Sequence, residues 1–79
     1  MVNQSIVVNS SWVLLANNVD YMLQVTSGVL LVKASATTPA DAEGAFKLVK
    51  GDVLTSTMLS GVIYISAPLG TQAYATYAV

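Results

Sequence analysis

The sequence predicts an all-β fold, a small antiparallel β-sandwich or barrel of about seven to eight short strands. Its apolar residues occur in short bursts rich in Val, Ile, Leu and Tyr, and no window has the 3.6-residue spacing of an amphipathic helix. Turn-forming residues, chiefly Gly, Asn, Pro and Ser, separate the bursts at short and even intervals. We therefore expect a single β domain that spans residues 1–79.

Each predicted strand is bounded by a turn signal. The segments "ANNVD", "TTPADAEG" and "PLGT", and the Ser-Gly and Lys-Gly pairs between other bursts, contain residues that adopt positive or fixed φ values. The predicted strands are 4–9, 11–16, 21–26, 28–35, 46–50, 52–58, 61–66 and 72–79.

Side-chain alternation distinguishes two kinds of strand. Tyr21, Leu23 and Val25 share one face of their strand, whereas the other face is largely polar, so this strand is expected to be half exposed. Strands 28–35 and 61–66 are largely apolar on both faces. We expect one face of each to meet the core and the other to meet a neighbouring subunit, which makes Leu31, Val62 and Tyr64 candidate interface residues.

The aromatic residues are mostly expected to serve packing within the domain. Trp12 and Phe46 are predicted to lie in the core. Tyr74 and Tyr77 fall on opposite faces of the last predicted strand, so at least one of them must point away from the core. Both are therefore further candidate interface residues.

The composition predicts a homo-oligomer. Of the 79 residues, 54% are apolar and 9% are charged, whereas an ordinary soluble domain has about 25% charged residues. Small domains usually gain stability from disulfides, a metal or oligomerisation, and this chain has no Cys and no His. Oligomerisation is the support that remains.

The same inventory argues against several functional classes. Without His, Cys or Arg, most general bases, nucleophiles and anion clamps cannot be assembled, so we expect neither an enzyme nor a bound cofactor. Three lysines make no basic patch for nucleic acid. The longest apolar runs are far shorter than the roughly 20 residues of a membrane span, and no secretory signal is visible, so we expect synthesis in a cytoplasm.

Two weaker chemical signals have simpler explanations. A serine could pair with one of the lysines, but lysines on strands and turns are usually solvated charges. The segment Asp41–Gly44 offers two carboxylates for a calcium ion, yet calcium sites usually need about six to eight oxygens. The surrounding loop, 34–45, is longer than most connections and is expected to contact something. We predict no catalytic and no metal residues.

Four layout features resemble small β-sandwich virion proteins of tailed bacteriophages. They are the early "SSW", the apolar strand after "TSG", the "GD" turn that opens a strand, and "SGVIYI" followed by a last strand rich in Thr, Ala and Tyr. The resemblance covers most of the chain, and a similar order of features occurs in capsid decoration modules, head fibres and tail-associated domains. It implies a non-enzymatic protein of the virion that assembles with itself, commonly as a trimer, on a symmetric particle.

The function expected from this resemblance is that of a capsid decoration or cement protein. Such a protein would contact the major capsid protein or other virion proteins and stabilise the shell through buried apolar surface. The alternative is a receptor- or carbohydrate-binding tip domain of a tail fibre or spike, which would use the "TTPADAEG" loop and exposed tyrosines.

Overall fold

The computed structural model describes residues 2–79, and within this range it contains eight β-strands and no helix. The all-β prediction is thus confirmed, and every predicted strand is present. The strands are β1 (Asn3–Val8), β2 (Val13–Asn17), β3 (Met22–Ser27), β4 (Val29–Ala34), β5 (Phe46–Val49), β6 (Val53–Thr55), β7 (Val62–Ser66) and β8 (Ala73–Ala78).

The largest error in a strand boundary concerns β6, which is much shorter than the predicted strand 52–58. The chain turns immediately after Thr55, because the backbone N–H groups of Met58 and Leu59 both donate to Thr55 O. The N–H of Ser56 donates across to Tyr21 O, which fixes the start of this turn against β3. Apolar residues in this segment therefore continue into a turn and not along a strand.

The strands form two four-stranded antiparallel sheets that pack face to face. Sheet I has the order β1-β8-β3-β6, and sheet II has the order β2-β7-β4-β5. The first strand pairs with the eighth, the second with the seventh, the third with the sixth and the fourth with the fifth. The chain is thus a doubled-back ribbon, and pairing of β3 with β8 and of β4 with β7 wraps it into two sheets. This is the jelly-roll arrangement of a β-sandwich.

The core lies between the two sheets and follows the predicted alternation. In β3, Leu23 and Val25 are buried while Met22 is half exposed, so the half-exposed character of this strand is confirmed. One face each of β4 and β7 points into the core, as predicted. The largest fully buried side chains are Tyr21, Leu23, Leu30, Ile63, Ile65, Val8, Val25 and Val32.

Two buried hydroxyl groups connect elements that are distant in sequence. The Tyr21 hydroxyl donates to Leu59 O in the β6–β7 connection. The Ser66 Oγ lies 3.1 Å from Ser10 O, and the nearby Ala67 N–H donates to Asn9 O, so the end of β7 is held against the β1–β2 connection. Among residues 2–79, every buried side-chain polar atom has a hydrogen-bond partner, as a stable interior requires.

The prediction that Phe46 and Trp12 lie in the core is wrong for Phe46, and Trp12 is only half buried. Phe46 is 58% exposed. Phe46 begins β5, an edge strand of sheet II. A tight turn joins β5 to β6, which is an edge strand of sheet I. Because β6 has only three residues, it is too short to cover Phe46. Trp12 precedes β2 and lies in a surface groove. Neither position could be told from core by its residue type.

Replacement of Tyr21 by Phe should change the dependence of stability on pH. Burial raises the pKa of the Tyr21 hydroxyl above its ordinary value of 10.0. The folded state therefore holds this proton more tightly than the unfolded state. The resulting contribution of the Tyr21 hydroxyl to the free energy of unfolding is fully present below about pH 10 and is lost as the pH rises through the folded-state pKa. Tyr21→Phe should cost about 1 kcal/mol at neutral pH and should weaken the alkaline decline.

Urea unfolding of the parent and of Tyr21→Phe at a series of pH values measures this difference. The tyrosines and lysines common to both proteins cancel in the comparison. Equal slopes of unfolding free energy above about pH 10 would contradict the assignment of that decline to Tyr21.

Replacement of Gly28 by Ala should destabilise the fold strongly. Gly28 joins β3 to β4 with a φ of +80°, and an added Cβ would lie 2.6 Å from Gln72 O. The strained backbone and the clash together should cost about 3 kcal/mol. Gly44→Ala is the matched control, because Gly44 has a φ of +76° but no atom within 4 Å of an added Cβ. Its cost should be about 1–2 kcal/mol, and equal losses in the two variants would show that the close approach at Gly28 is unimportant.

Candidate functional site

The charged side chains of the described chain are confined to one half of the sandwich. The three lysines and four acidic residues all lie between Asp20 and Asp52 in the sequence. They occur on β4, on β5 and in the connections that border β3 to β6. The half built from β1 and β8 of sheet I and β2 and β7 of sheet II carries no charged side chain. We call it the uncharged half.

The outer face of sheet I is free of charge across all four of its strands. Its exposed apolar side chains include Val7, Met22 and Tyr74, which are 54%, 51% and 46% exposed. Between them lie hydroxyl and amide side chains. Directly paired residues form three rows across this face. The first row contains Val7 and Tyr74. The second contains Ser5, Thr76, Gln24 and Val53, and the third contains Asn3, Ala78, Met22 and Thr55.

A shallow depression of about 310 Å³ lies on this outer face around Ala78. Ala78 is nearly buried because the longer side chains of its two register partners, Asn3 and Met22, flank it. Gln24, Val53 and Thr76 complete the rim. The face is thus exposed to solvent, with one hollow that a small apolar group could fill.

The outer face of sheet II is more covered than that of sheet I. The segment 35–45 lies beside it, and Lys33 Nζ on β4 is 3.7 Å from Asp41 Oδ1 in this segment. The outward residues Leu31, Val62 and Tyr64 are only half exposed. The segment 35–45 therefore covers part of the apolar outer surface of β4 and β7.

A groove of about 510 Å³ runs between the segment 35–45 and the β7–β8 connection. Its lining includes Trp12, Leu31 and Ala42, together with the half-buried Pro68 and the exposed Leu69 of the β7–β8 connection. Ser10, Lys47 and Ser66 add polar groups to the lining. An aromatic ring beside hydroxyl and ammonium groups is a composition that can hold a sugar or a peptide side chain.

The five candidate interface residues do not form one surface. Leu31, Val62 and Tyr64 lie on the outer face of sheet II, and Tyr74 lies on the outer face of sheet I. Tyr77 points inward against the core, and its hydroxyl lies 3.0 Å from Gln4 Oε1 on β1. The predicted opposition of Tyr74 and Tyr77 across β8 is confirmed.

Sequence reasoning missed the surface that the structure brings together around Tyr74. Val7, Met22 and Thr76 come from three different strands, and only the pairing of β8 with both β1 and β3 places them on one face. A signal was present in the sequence, because no charge occurs before Asp20 or after Asp52. Strand order was needed to convert that linear gap into a surface.

The acidic loop offers no assembled metal site in the part of the chain that the structure describes. No group of three or more His, Cys, Asp or Glu side chains is close enough there to hold an ion. Asp41 Oδ1 instead accepts a hydrogen bond from the Glu43 N–H at 3.0 Å and faces Lys33.

Across residues 2–79, the fold also has no helix of the length and apolarity that crossing a membrane requires.

The chain was compared with protein-family models, with curated proteins and with solved structures, and none of the three comparisons gave a match.

Proposed function

We propose that this chain is a structural protein of a phage virion, a capsid decoration or cement protein that attaches through the outer face of sheet I. The observation that carries the proposal is the character of this face: it is exposed and free of charged side chains across four strands. A monomer that served only in solution would gain nothing from keeping such a face free of charge.

The chemistry of the face suits repeated docking to another protein surface. Apolar groups contribute about 25 cal/mol per Å² when they leave water, and Val7, Met22 and Tyr74 supply such groups. Gln24 and Thr76 can donate and accept hydrogen bonds. No ionised group has to be desolvated, which removes the largest cost of burying a polar surface.

Two further considerations support a role on a virion. The jelly roll is a fold of viral capsid domains and also of lectins, although a fold alone does not assign a function. The layout of the sequence resembles small virion proteins of tailed phages, and the chain has no His, Cys or Arg. The protein therefore acts by assembly, as a homo-oligomer whose copies bind the major capsid protein or another virion protein.

Replacement of Thr76 by Lys should abolish binding to the shell. Thr76 is exposed near the middle of the outer face of sheet I, between Ser5 and Gln24. A buried, unpaired ammonium group costs on the order of several kcal/mol, so the affinity should fall by at least about 100-fold. The test is co-sedimentation of purified protein with capsids of the phage that encodes it, followed by thermal disruption of the loaded capsids.

Thr38→Lys is the matched control, because it makes the same change at an exposed position of the segment 35–45. This variant should bind like the parent and should raise the disruption temperature of the capsids equally. Because no charged pair takes part, parent binding should also change little between low and high salt. Equal binding by the two lysine variants, or binding that salt abolishes, would contradict docking through this face.

A second candidate function, the carbohydrate- or receptor-binding tip of a tail fibre, is favoured by the groove that contains Trp12. Trp12 is the single tryptophan of the chain, so its fluorescence reports on that groove directly. If the groove binds sugars, titration with oligosaccharides from the host surface should shift or quench the emission with saturation. We expect no such change, and a saturable change in the Trp12 emission would favour the tip function over the capsid function.

A further inference from the structure

The four sheet edges of this sandwich differ in how they are protected. An edge strand presents free N–H and C=O groups to other strands, and proteins blunt their edges with short strands, bulges or charges. Among residues 2–79, β6 has three residues, β5 has four and includes Lys47, and β2 has an irregular register between Leu14 and Ala16. β1 has six residues, regular register against β8, and neither proline nor charge. It alone lacks all of these protections.

The hydrogen bonds of sheet I determine which backbone groups of β1 are free. The Val2 N–H donates to Val79 O, so alternate residues starting from Val2 point their backbone groups towards β8. The alternation of an antiparallel ladder leaves the N–H and C=O groups of Asn3, Ser5 and Val7 at the open edge. The side chains of these three residues are exposed on the outer face of sheet I.

We propose that β1 pairs antiparallel with β1 of a second copy of this chain, about a twofold axis at Ser5. In this register Ser5 lies opposite the partner's Ser5, and Asn3 lies opposite the partner's Val7. All three residues with free backbone groups are then paired, which gives about six new hydrogen bonds. A shift of the register by two residues in either direction leaves one of the three without its partner in the strand.

The occupant of this edge is a second copy because the edge is complementary to itself. Ser5 is small, so two backbones can approach at the axis, and no charged side chain occurs from Val2 to Val19 to repel an identical surface. The neighbouring edge β2 adds Val13 and Leu14, which are 36% and 48% exposed. A partner on this side covers apolar surface as well as backbone groups.

The dimer formed in this way contains a continuous sheet of two copies of sheet I. Its order is β6-β3-β8-β1 followed by the same strands of the partner in reverse, so the uncharged outer face is doubled in width. The phage resemblance implies a trimer, but a closed threefold ring through strand edges needs β1 to pair with a different edge of the next copy. The other edges are short, charged or bulged, so the structure favours the twofold assembly.

The experiment is sedimentation equilibrium and native mass spectrometry of the full chain and its Ser5 variants. The parent should be a dimer. Ser5→Pro should weaken dimerisation by at least tenfold, because it removes one edge donor and blocks close approach, while the β8 ladder does not use the Ser5 N–H. Circular dichroism checks that this variant folds. Thr76→Lys, on the same face but on the inner strand β8, should dimerise like the parent.

Paired charges at the axis provide a second test that does not depend on proline. Ser5→Lys and Ser5→Glu each place two like charges opposite one another and should be mainly monomeric, whereas a mixture of the two should form the heterodimer. A monomeric or trimeric parent, or Ser5 variants that dimerise like the parent, would overturn the inference. So would a mixture that associates no better than its components. Attachment through the outer face of sheet I is tested separately by the Thr76 and Thr38 variants.

Discussion

Placement of β8 between β1 and β3, and of β7 between β2 and β4, is the constraint on which the rest of this structure depends. Without the pairing of β8 with β3 and of β7 with β4, the chain would be four separate hairpin-like pairs, none of which could bury its apolar face alone. With them, two sheets close over one core. The central strand β8 contributes the small buried residues Ala73 and Ala75, whereas β7 contributes the large Ile63 and Ile65. Small side chains on one sheet facing large ones on the other allow the two layers to interdigitate.

The same central position explains why the chain can carry so little charge and keep a defined fold. A strand with a neighbour on each side has no free backbone groups, so β7 and β8 need no charged side chains to prevent pairing with other chains. Charges occur instead around the short edge strands β5 and β6, as Lys47, Lys50 and Asp52. Asp52 also has a structural task, since its Oδ2 accepts the Val49 N–H at 2.8 Å across the β5–β6 turn.

The uncharged half therefore has two features of an interface that arise from one arrangement. The outer face of sheet I offers a broad surface with few desolvation costs, and the edge of β1 offers unpaired backbone groups. These two features suit different partners: the edge suits an identical copy, and the face suits a different and larger surface. In the proposed dimer the face would be presented twice, so attachment of one copy to a capsid would hold the other near it and raise the effective affinity.

Much of the fold was determined by the sequence itself. The order and type of all eight strands, the turn positions and the inward faces of β3, β4 and β7 follow from short-range patterns: alternation of apolar residues, β-branched side chains, and Gly or Asn at positive φ. Short-range patterns fail where exposure depends on distant neighbours. Phe46 has the residue type of a core position, but it is exposed because the strand that would cover it has three residues.

The candidate site was decided only by the tertiary structure. The sequence correctly indicated that apolar residues on β4 and β7 face outward, but it could not show that the segment 35–45 covers part of that surface through Lys33 and Asp41. The sequence shows that no charged residue occurs before Asp20 or after Asp52. Only the strand order shows that these two uncharged stretches form one surface. Residues as distant as Val7 and Tyr74 become neighbours through backbone pairing, and that pairing depends on long-range contacts which no local pattern encodes.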